Sequence, residues 1–219
     1  MIRGVFVTGT DTGVGKTVTC AALLCRLDHD ARVRYWKPIQ TGVEQDDDTA
    51  TVRRLSGCGA RGVLDAGVRL RRPLSPHAAA RLSGVRIDIA HVADTVAALP
   101  LSNRWIVEGA GGVLVPLNDD ALMVDLMTRL GSPVVVVARS TLGTINHTLL
   151  TLEALRARSL EVAGVVMVGD RHEENRQAIE HFGGVTVLGE IPILRPLTAE
   201  TLRQAADRLD CSSLMRILQ

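Results

Sequence analysis

Aromatic residues make up only 2% of the 219-residue chain: two Trp, one Tyr and two Phe. A core of this size must then be filled by Val, Leu, Ile and Ala, which suits a parallel sheet covered on both faces. So few rings also exclude a base-stacking platform for single-stranded nucleic acid. Charge of one sign is equally scarce. Lys and Arg number 25 and Asp and Glu 24, a net charge of +1, so no electrostatic case exists for a nucleic acid or membrane partner. The four cysteines, Cys20, Cys25, Cys58 and Cys211, include no C-x-x-C pair. They read as reduced thiols of a cytoplasmic protein and not as zinc ligands. No charged leader with a long apolar segment opens the chain, so neither a signal peptide nor a transmembrane span is expected.

What is present is an alternation. Short apolar runs at Ile2–Thr8, Val33–Lys37, Arg104–Glu108, Pro133–Ala138, Val162–Val168 and Val185–Leu188 read as strands. Between them lie helical patterns at Lys16–Leu27, Asp48–Leu55, Ile89–Leu99, Leu122–Leu130, Thr144–Arg158, Glu173–His181 and Thr198–Leu209. Repeated βαβ units predict one α/β domain over residues 1–219, a mainly parallel sheet with helices on both faces. The stretch Gly57–Ser83, rich in Gly, Arg and Pro, is the least regular. In such sheets ligands sit at the carboxyl ends of the strands, and every motif below falls at one of those ends.

The first strand runs into Thr8-Gly9-Thr10-Asp11-Thr12-Gly13-Val14-Gly15-Lys16-Thr17. Backbone N–H groups of such a loop, with the helix N-terminus behind it, cradle the phosphates of a nucleoside triphosphate. Lys16 would reach the β- and γ-phosphates, and Thr17 is placed to ligate magnesium. The general spacing asks for glycine at position 10, which is threonine; the nearest glycine is Gly9. Lys37-Pro38 ends the second strand, where a fixed cation stabilises charge passing between two anionic reactants; alone, a lysine there is ordinarily solvated. Asp46-Asp47-Asp48 suits a helix N-terminus or supplies one magnesium ligand, and spacing does not choose among the three. Glu108 stands at a strand tip before Gly109-Ala110-Gly111-Gly112. With Thr17 and one of those acids it would complete an oxygen set for octahedral magnesium. The loop Ser140–His147 opens a helix whose free N–H groups suit a carboxylate-bearing substrate, with His147 reading as structural. Gly189-Glu190-Ile191-Pro192 would wall a nucleobase pocket.

Taken in order, Thr8–Thr17, Lys37-Pro38 with Thr41-Gly42, Ser75-Pro76-His77, Val107–Gly112, Leu142-Gly143-Thr144-Ile145-Asn146-His147 and Gly189–Pro192 closely resemble the dethiobiotin synthetase family of P-loop proteins. The displaced first glycine matches that family's own version. The resemblance implies Mg2+ and ATP, with CO2 (or bicarbonate) captured by 7,8-diaminononanoate as a carbamate, then phosphorylated and closed to a cyclic urea. It implies Lys16 and Lys37 as catalytic cations, and Thr17, Asp48 and Glu108 as magnesium ligands. Nucleotide contacts would come from Thr12, Gly13, Val14, Gly15, Lys16, Thr17, Val18, Asp48, Glu108, Gly109, Ala110, Gly111, Val168, Gly169, Pro192, Ile193 and Leu194. Thr41 would meet the diamine or carbamate region. Leu142, Gly143, Thr144, Ile145 and Asn146 would cap the substrate carboxylate from the second subunit of a homodimer.

One position departs from the family. Its adenine-reading asparagine, one of an Asn-Asp pair, falls near Val168-Gly169 here, and valine offers no side-chain donor or acceptor to a base edge, so a looser choice of nucleotide is expected. Two other classes share parts of this pattern. A partition-type ATPase typically carries a second lysine early in the phosphate loop, and Gly9–Thr12 has none. A corrinoid-type amide synthetase usually continues into a glutamine-hydrolysing domain, for which 219 residues leave no room.

Overall fold

The computed structural model describes residues 2–27, 32–59 and 62–218. In chain order the elements are β1 (Gly4–Gly9), α1 (Lys16–Leu27), β2 (Val33–Trp36), β3 (Ile39–Thr41), α2 (Asp48–Ser56), β4 (Val63–Leu64), β5 (Val68–Leu70), α3 (Pro76–Leu82) and α4 (Ile89–Ala97). There follow β6 (Arg104–Gly112), α5 (Met123–Leu130), β7 (Val134–Arg139), α6 (Thr144–Arg156), β8 (Val162–Val168), α7 (Glu173–Gly183), β9 (Val187–Ile191), α8 (Ala199–Ala206) and α9 (Ser212–Leu218). Seven strands form one parallel sheet in the order β4-β2-β6-β1-β7-β8-β9, and β3 pairs with β5 beside it.

Both faces of this sheet are covered, as the α/β reading requires. Along β1, Val5 and Val7 join a core with Tyr35, Ile106, Val135 and the buried faces of α1, α2 and α8. Phe6 points the other way, into a core with Trp36, Trp105, Val107, Val136 and helices α4 to α7. The period-2 alternation of strand side chains thus feeds two apolar layers from one valine-rich sequence. Trp36 and Trp105 meet edge to face at 6.4 Å, so two of the few aromatics fill the same layer.

The predicted strands and helices appear, with shifted ends. The apolar pattern places the late strand at Val185–Leu188, since Gly189-Glu190-Ile191-Pro192 looks like a loop; instead β9 starts at Val187 and runs to Ile191, where Glu190 and Ile191 still pair with Met167 and Val168. Likewise β6 runs past Glu108 to Gly112, its glycines paired beside the end of β1. The stretch Gly57–Ser83, whose residues 60 and 61 lie outside the described residues, contains β4, β5 and α3. Strands of two or three residues are too short to show periodicity, and α3 starts on Pro76 at its first position, where proline is well tolerated.

Candidate functional site

β1 leaves the sheet at Gly9 and returns as α1 at Lys16. The displaced glycine has a steric cause: a Cβ on residue 9 would stand 2.7 Å from Val14 Cγ2 and 2.8 Å from the Asp11 carbonyl oxygen. Glycine is therefore needed at 9, and position 10 is free to be threonine. Gly15 has φ +99°, and a Cβ there would meet Val168 Cγ1 at 2.9 Å. The end of β8 accordingly packs on the phosphate loop, which places Val168 and Gly169 at its side. The Lys16 ammonium donates to the Asp11 carbonyl at 2.9 Å. Burial pulls its pKa below the usual lysine value, against the raising field of Glu108. Asp11 also pairs with Arg139 at the end of β7, 2.9 Å away.

Four side chains converge beneath this loop. The Thr17 hydroxyl lies 2.7 Å from Asp48 Oδ1 and 2.9 Å from Glu108 Oε1. Lys37 Nζ bridges the same two carboxylates, donating to Asp48 Oδ2 and, at 2.6 Å, to Glu108 Oε1. The register explains the meeting: Trp36 pairs with Val107, so the next residues on the two strands, Lys37 and Glu108, are level. Lys37 and Glu108 are 5% and 0% exposed. Burial disfavours the charged lysine, but Glu108 and Asp48 outweigh it and hold its pKa above the ordinary value. Burial also opposes the charge on Asp48, and Lys37 with Thr17 outweighs it, so the carboxyl sits below the usual range. A buried ion cluster is poor value as a stabilising device and is more at home where charge must be handled.

Of the three consecutive acids, only Asp48 enters this cluster. Asp47 caps α2, its Oδ1 accepting from the Ala50 amide at 3.0 Å. Asp46 is exposed, and its carbonyl accepts from the Gln40 side chain at 2.8 Å. The cap turns the next residue inward, which spacing alone does not reveal. Sequence reasoning missed Tyr35, whose hydroxyl donates to Glu108 Oε2 at 2.8 Å. Burial and the Glu108 charge push its pKa well above the ordinary value, so it remains a donor. The available signal was its place two residues before Lys37, on the same strand face. Cys20, one turn into α1, is fully buried beside Glu108.

The donor chemistry fits magnesium: a hydroxyl and two carboxylates, all oxygen, directed at one spot. Among the described residues no three of His, Cys, Asp and Glu gather as a metal site, so such a cation would also need phosphate oxygens and water.

The remaining expected residues line the same edge more loosely. Gly109 and Ala110 are buried in β6, while Gly111 packs against Val115 and lies near Thr12. Thr12 and Gly13 are exposed, Val14 is buried, and Val18 and Thr41 are half-buried. After β9, Pro192 and Leu194 are half-buried and Ile193 is exposed. At the start of α6, Thr144 is buried and donates to the Arg139 carbonyl. Gly143 takes φ +89° as the cap, Ile145 is half-buried, and Leu142 and Asn146 are exposed. Among the described residues, no hydrogen bond or ion pair ties these α6 residues to the Lys37 cluster. A cavity of about 510 Å³ lined by Arg156, Val162 and Thr186 lies at the opposite end of β8, away from this chemistry.

Comparison with known proteins places the chain in a family. A family model described as an AAA domain matches residues 3–201. The chain is 54% identical over 201 residues to the ATP-dependent dethiobiotin synthetase BioD of Paramagnetospirillum magneticum, covering 92% of this chain and 93% of that protein. It is 50% identical over 206 residues to the BioD of Nitrobacter hamburgensis, covering 94% and 93%. Among solved structures, the septum site-determining protein MinD of Pyrococcus horikoshii superposes with a TM-score of 0.63 at 16% identity, covering 97% of this chain and 96% of that one; at that identity the likeness is one of fold. Identity of this level across nearly the whole of both sequences means that the chain belongs to the dethiobiotin synthetase family.

Proposed function

We propose that the chain is an ATP-dependent dethiobiotin synthetase, a ligase that uses magnesium and works as one nucleotide-binding domain across residues 1–219. The observation that carries this reading is the buried meeting of Lys37, Thr17, Asp48 and Glu108 under a phosphate loop. A simple phosphate-binding switch needs no second buried lysine from β2. A reaction between two anions, a carbamate and a triphosphate, does.

In this reading one amine of 7,8-diaminononanoate attacks CO2 and loses a proton, giving a carbamate. A carbamate oxygen attacks the γ-phosphorus, the bond to the β-phosphate oxygen breaks, and ADP leaves a mixed carbamic–phosphoric anhydride. The second amine then attacks the carbonyl carbon and loses a proton, the C–O bond to phosphate breaks, and phosphate departs as the cyclic urea closes. Magnesium, when bound, would draw negative charge from the phosphate oxygens. Thr17, Asp48 and Glu108 would hold it. Lys16 would accompany the β- and γ-phosphates, and Lys37 would hold the carbamate in line with them. No protein nucleophile is needed; catalysis is positioning and charge compensation.

Thr41, at the end of β3, would meet the diamine or carbamate region. Gly109 to Gly111, Val168, Gly169 and Pro192 to Leu194 would flank the nucleotide, with Val168 giving a loose choice of base. The exposed Leu142 and Asn146 support a homodimer in which the start of α6 caps the substrate carboxylate of the partner. Incubation with diamine, labelled bicarbonate, magnesium and each nucleoside triphosphate, followed by mass spectrometry, tests the whole reading. Labelled dethiobiotin is expected. Nucleotide hydrolysis without labelled product would instead favour a partition-type switch.

A further inference from the structure

We propose that Tyr35 is a positioning residue that sets the metal-facing oxygen of Glu108, an inference that rests on the reading of Glu108 as a magnesium ligand. Tyr35 pairs with Ile106 across β2 and β6, and its ring reaches two residues along the neighbouring strand to Glu108 Oε2 at 2.8 Å. Both residues are 0% exposed. The two oxygens of Glu108 therefore face different groups, with the Cys20 thiol also beside the carboxylate: Oε2 accepts from the tyrosine, and Oε1 from Thr17 and Lys37. The terminal torsion of a glutamate is broad and barely restrains its carboxylate. Anchoring Oε2 with a charge-assisted hydrogen bond removes that freedom, because turning Oε1 away from Thr17 would strand a buried donor and acceptor.

Lys37 cannot serve as this anchor, since it bonds the same oxygen as Thr17. A phenylalanine would fill the same volume in the apolar layer around Val33 and Ile106, so packing alone does not call for the hydroxyl. Outer partners of metal ligands are typically worth ten- to a hundredfold in metal affinity. The hydroxyl is thus assigned to the readiness of the metal site.

The test is the magnesium dependence of ATP binding, measured calorimetrically without diamine for the native chain, Tyr35→Phe and Glu108→Gln. Tyr35→Phe is expected to raise the magnesium concentration needed for half-maximal coupling by about tenfold, with metal-free ATP affinity unchanged. Equal loss of metal-free and magnesium-dependent binding would reduce Tyr35 to a packing role and overturn the proposal, as would a native-like magnesium dependence. Glu108→Gln separates the two layers of inference. If it too leaves magnesium coupling untouched, the ligand assignment itself fails; if it abolishes coupling while Tyr35→Phe does nothing, only the Tyr35 proposal fails. A second readout needs no variant. Tyr35 is the sole tyrosine of the chain, so its ring-labelled NMR signal is unambiguous. Adding magnesium to the ATP-bound protein should shift it, and an unmoved signal would overturn the proposal.

Discussion

The two ends of the site are built differently. At the phosphate end, Thr17, Lys37, Asp48 and Glu108 lock one another through hydrogen bonds and ion pairs among half-buried or fully buried groups. At the other end, Leu142, Asn146 and Ile193 stand exposed, and Val168 offers only a hydrocarbon surface beside Gly15. The difference teaches where this fold invests order in advance. Charge compensation must be in place before reactants arrive, since reorganising it during reaction would add to the barrier. In the function proposed above, the surfaces that would meet the base and the substrate carboxylate are left to be completed by the ligand or by a partner chain.

The largest expected effect lies at the ordered end. Lys37→Gln should lower kcat by about 10²- to 10³-fold, the usual cost of one preorganised charge partner, while ATP still binds. Steady-state rates with diamine and calorimetry with ATP check the two halves, and retained turnover would place the decisive cation elsewhere.

The same residue sharpens the comparison through stability. Lys37→Met leaves Glu108 and Asp48 facing each other without their cation, which should cost about 3–5 kcal/mol near neutral pH. Denaturant unfolding in magnesium-free buffer should show this penalty shrinking toward pH 5, as one of the two carboxyls takes up a proton. In the native chain the sign is opposite. Asp48 is held below its ordinary value, so its stabilising contribution is complete above about pH 4 and is lost as acid titrates the folded carboxyl. Lys37 is held above its ordinary value, so its contribution persists through neutrality and is lost only at strongly alkaline pH. A native chain and a Lys37→Met variant whose stabilities responded alike to pH would mean that the cluster is not the buried charge network described.

At the open end the expected effects are smaller and concern selectivity. Val168→Asn supplies a donor and an acceptor to a base edge, and should raise the preference for ATP over CTP, GTP and UTP by about tenfold, one good hydrogen bond's worth. A kinetic survey with all four nucleotides checks it; an unchanged ranking, or strict ATP use by the native chain, would show that the base is read elsewhere. Asn146→Ala should raise the KM for the diamine about fivefold with kcat nearly unchanged, the pattern of lost uniform binding. An equal loss in kcat would move Asn146 to the reacting end.

Much of the ordered end was readable from sequence. The strand, glycine loop and Gly-Lys-Thr ending of Gly9–Thr17, and an acid at the tip of Arg104–Glu108, are local patterns with local causes. Asp48 was not separable from Asp46 and Asp47, because the choice depends on which of them caps α2. Tyr35 was invisible as a site residue, since an aromatic in an apolar strand reads as core until its hydroxyl finds Glu108 across the sheet. In the fold, β9 was cut short because Gly189 and Pro192 imitate a turn, while its pairing with β8 carries the strand through. The short strands β3 to β5 escaped for want of length.

The order of strands also has a consequence for biogenesis. β1 and β2 are consecutive in the chain but not adjacent in the sheet; β6 lies between them. The carboxylate that meets Thr17 arrives 91 residues later. A growing polypeptide leaving the ribosome can form the glycine loop and α1 early. It has no partner for Thr17 on β6, and no level neighbour for Lys37, until Glu108 has emerged and inserted into the gap. Catalytic competence is therefore a late reporter of folding, and a truncated product lacking the β6 segment would retain phosphate-loop sequence without a working site.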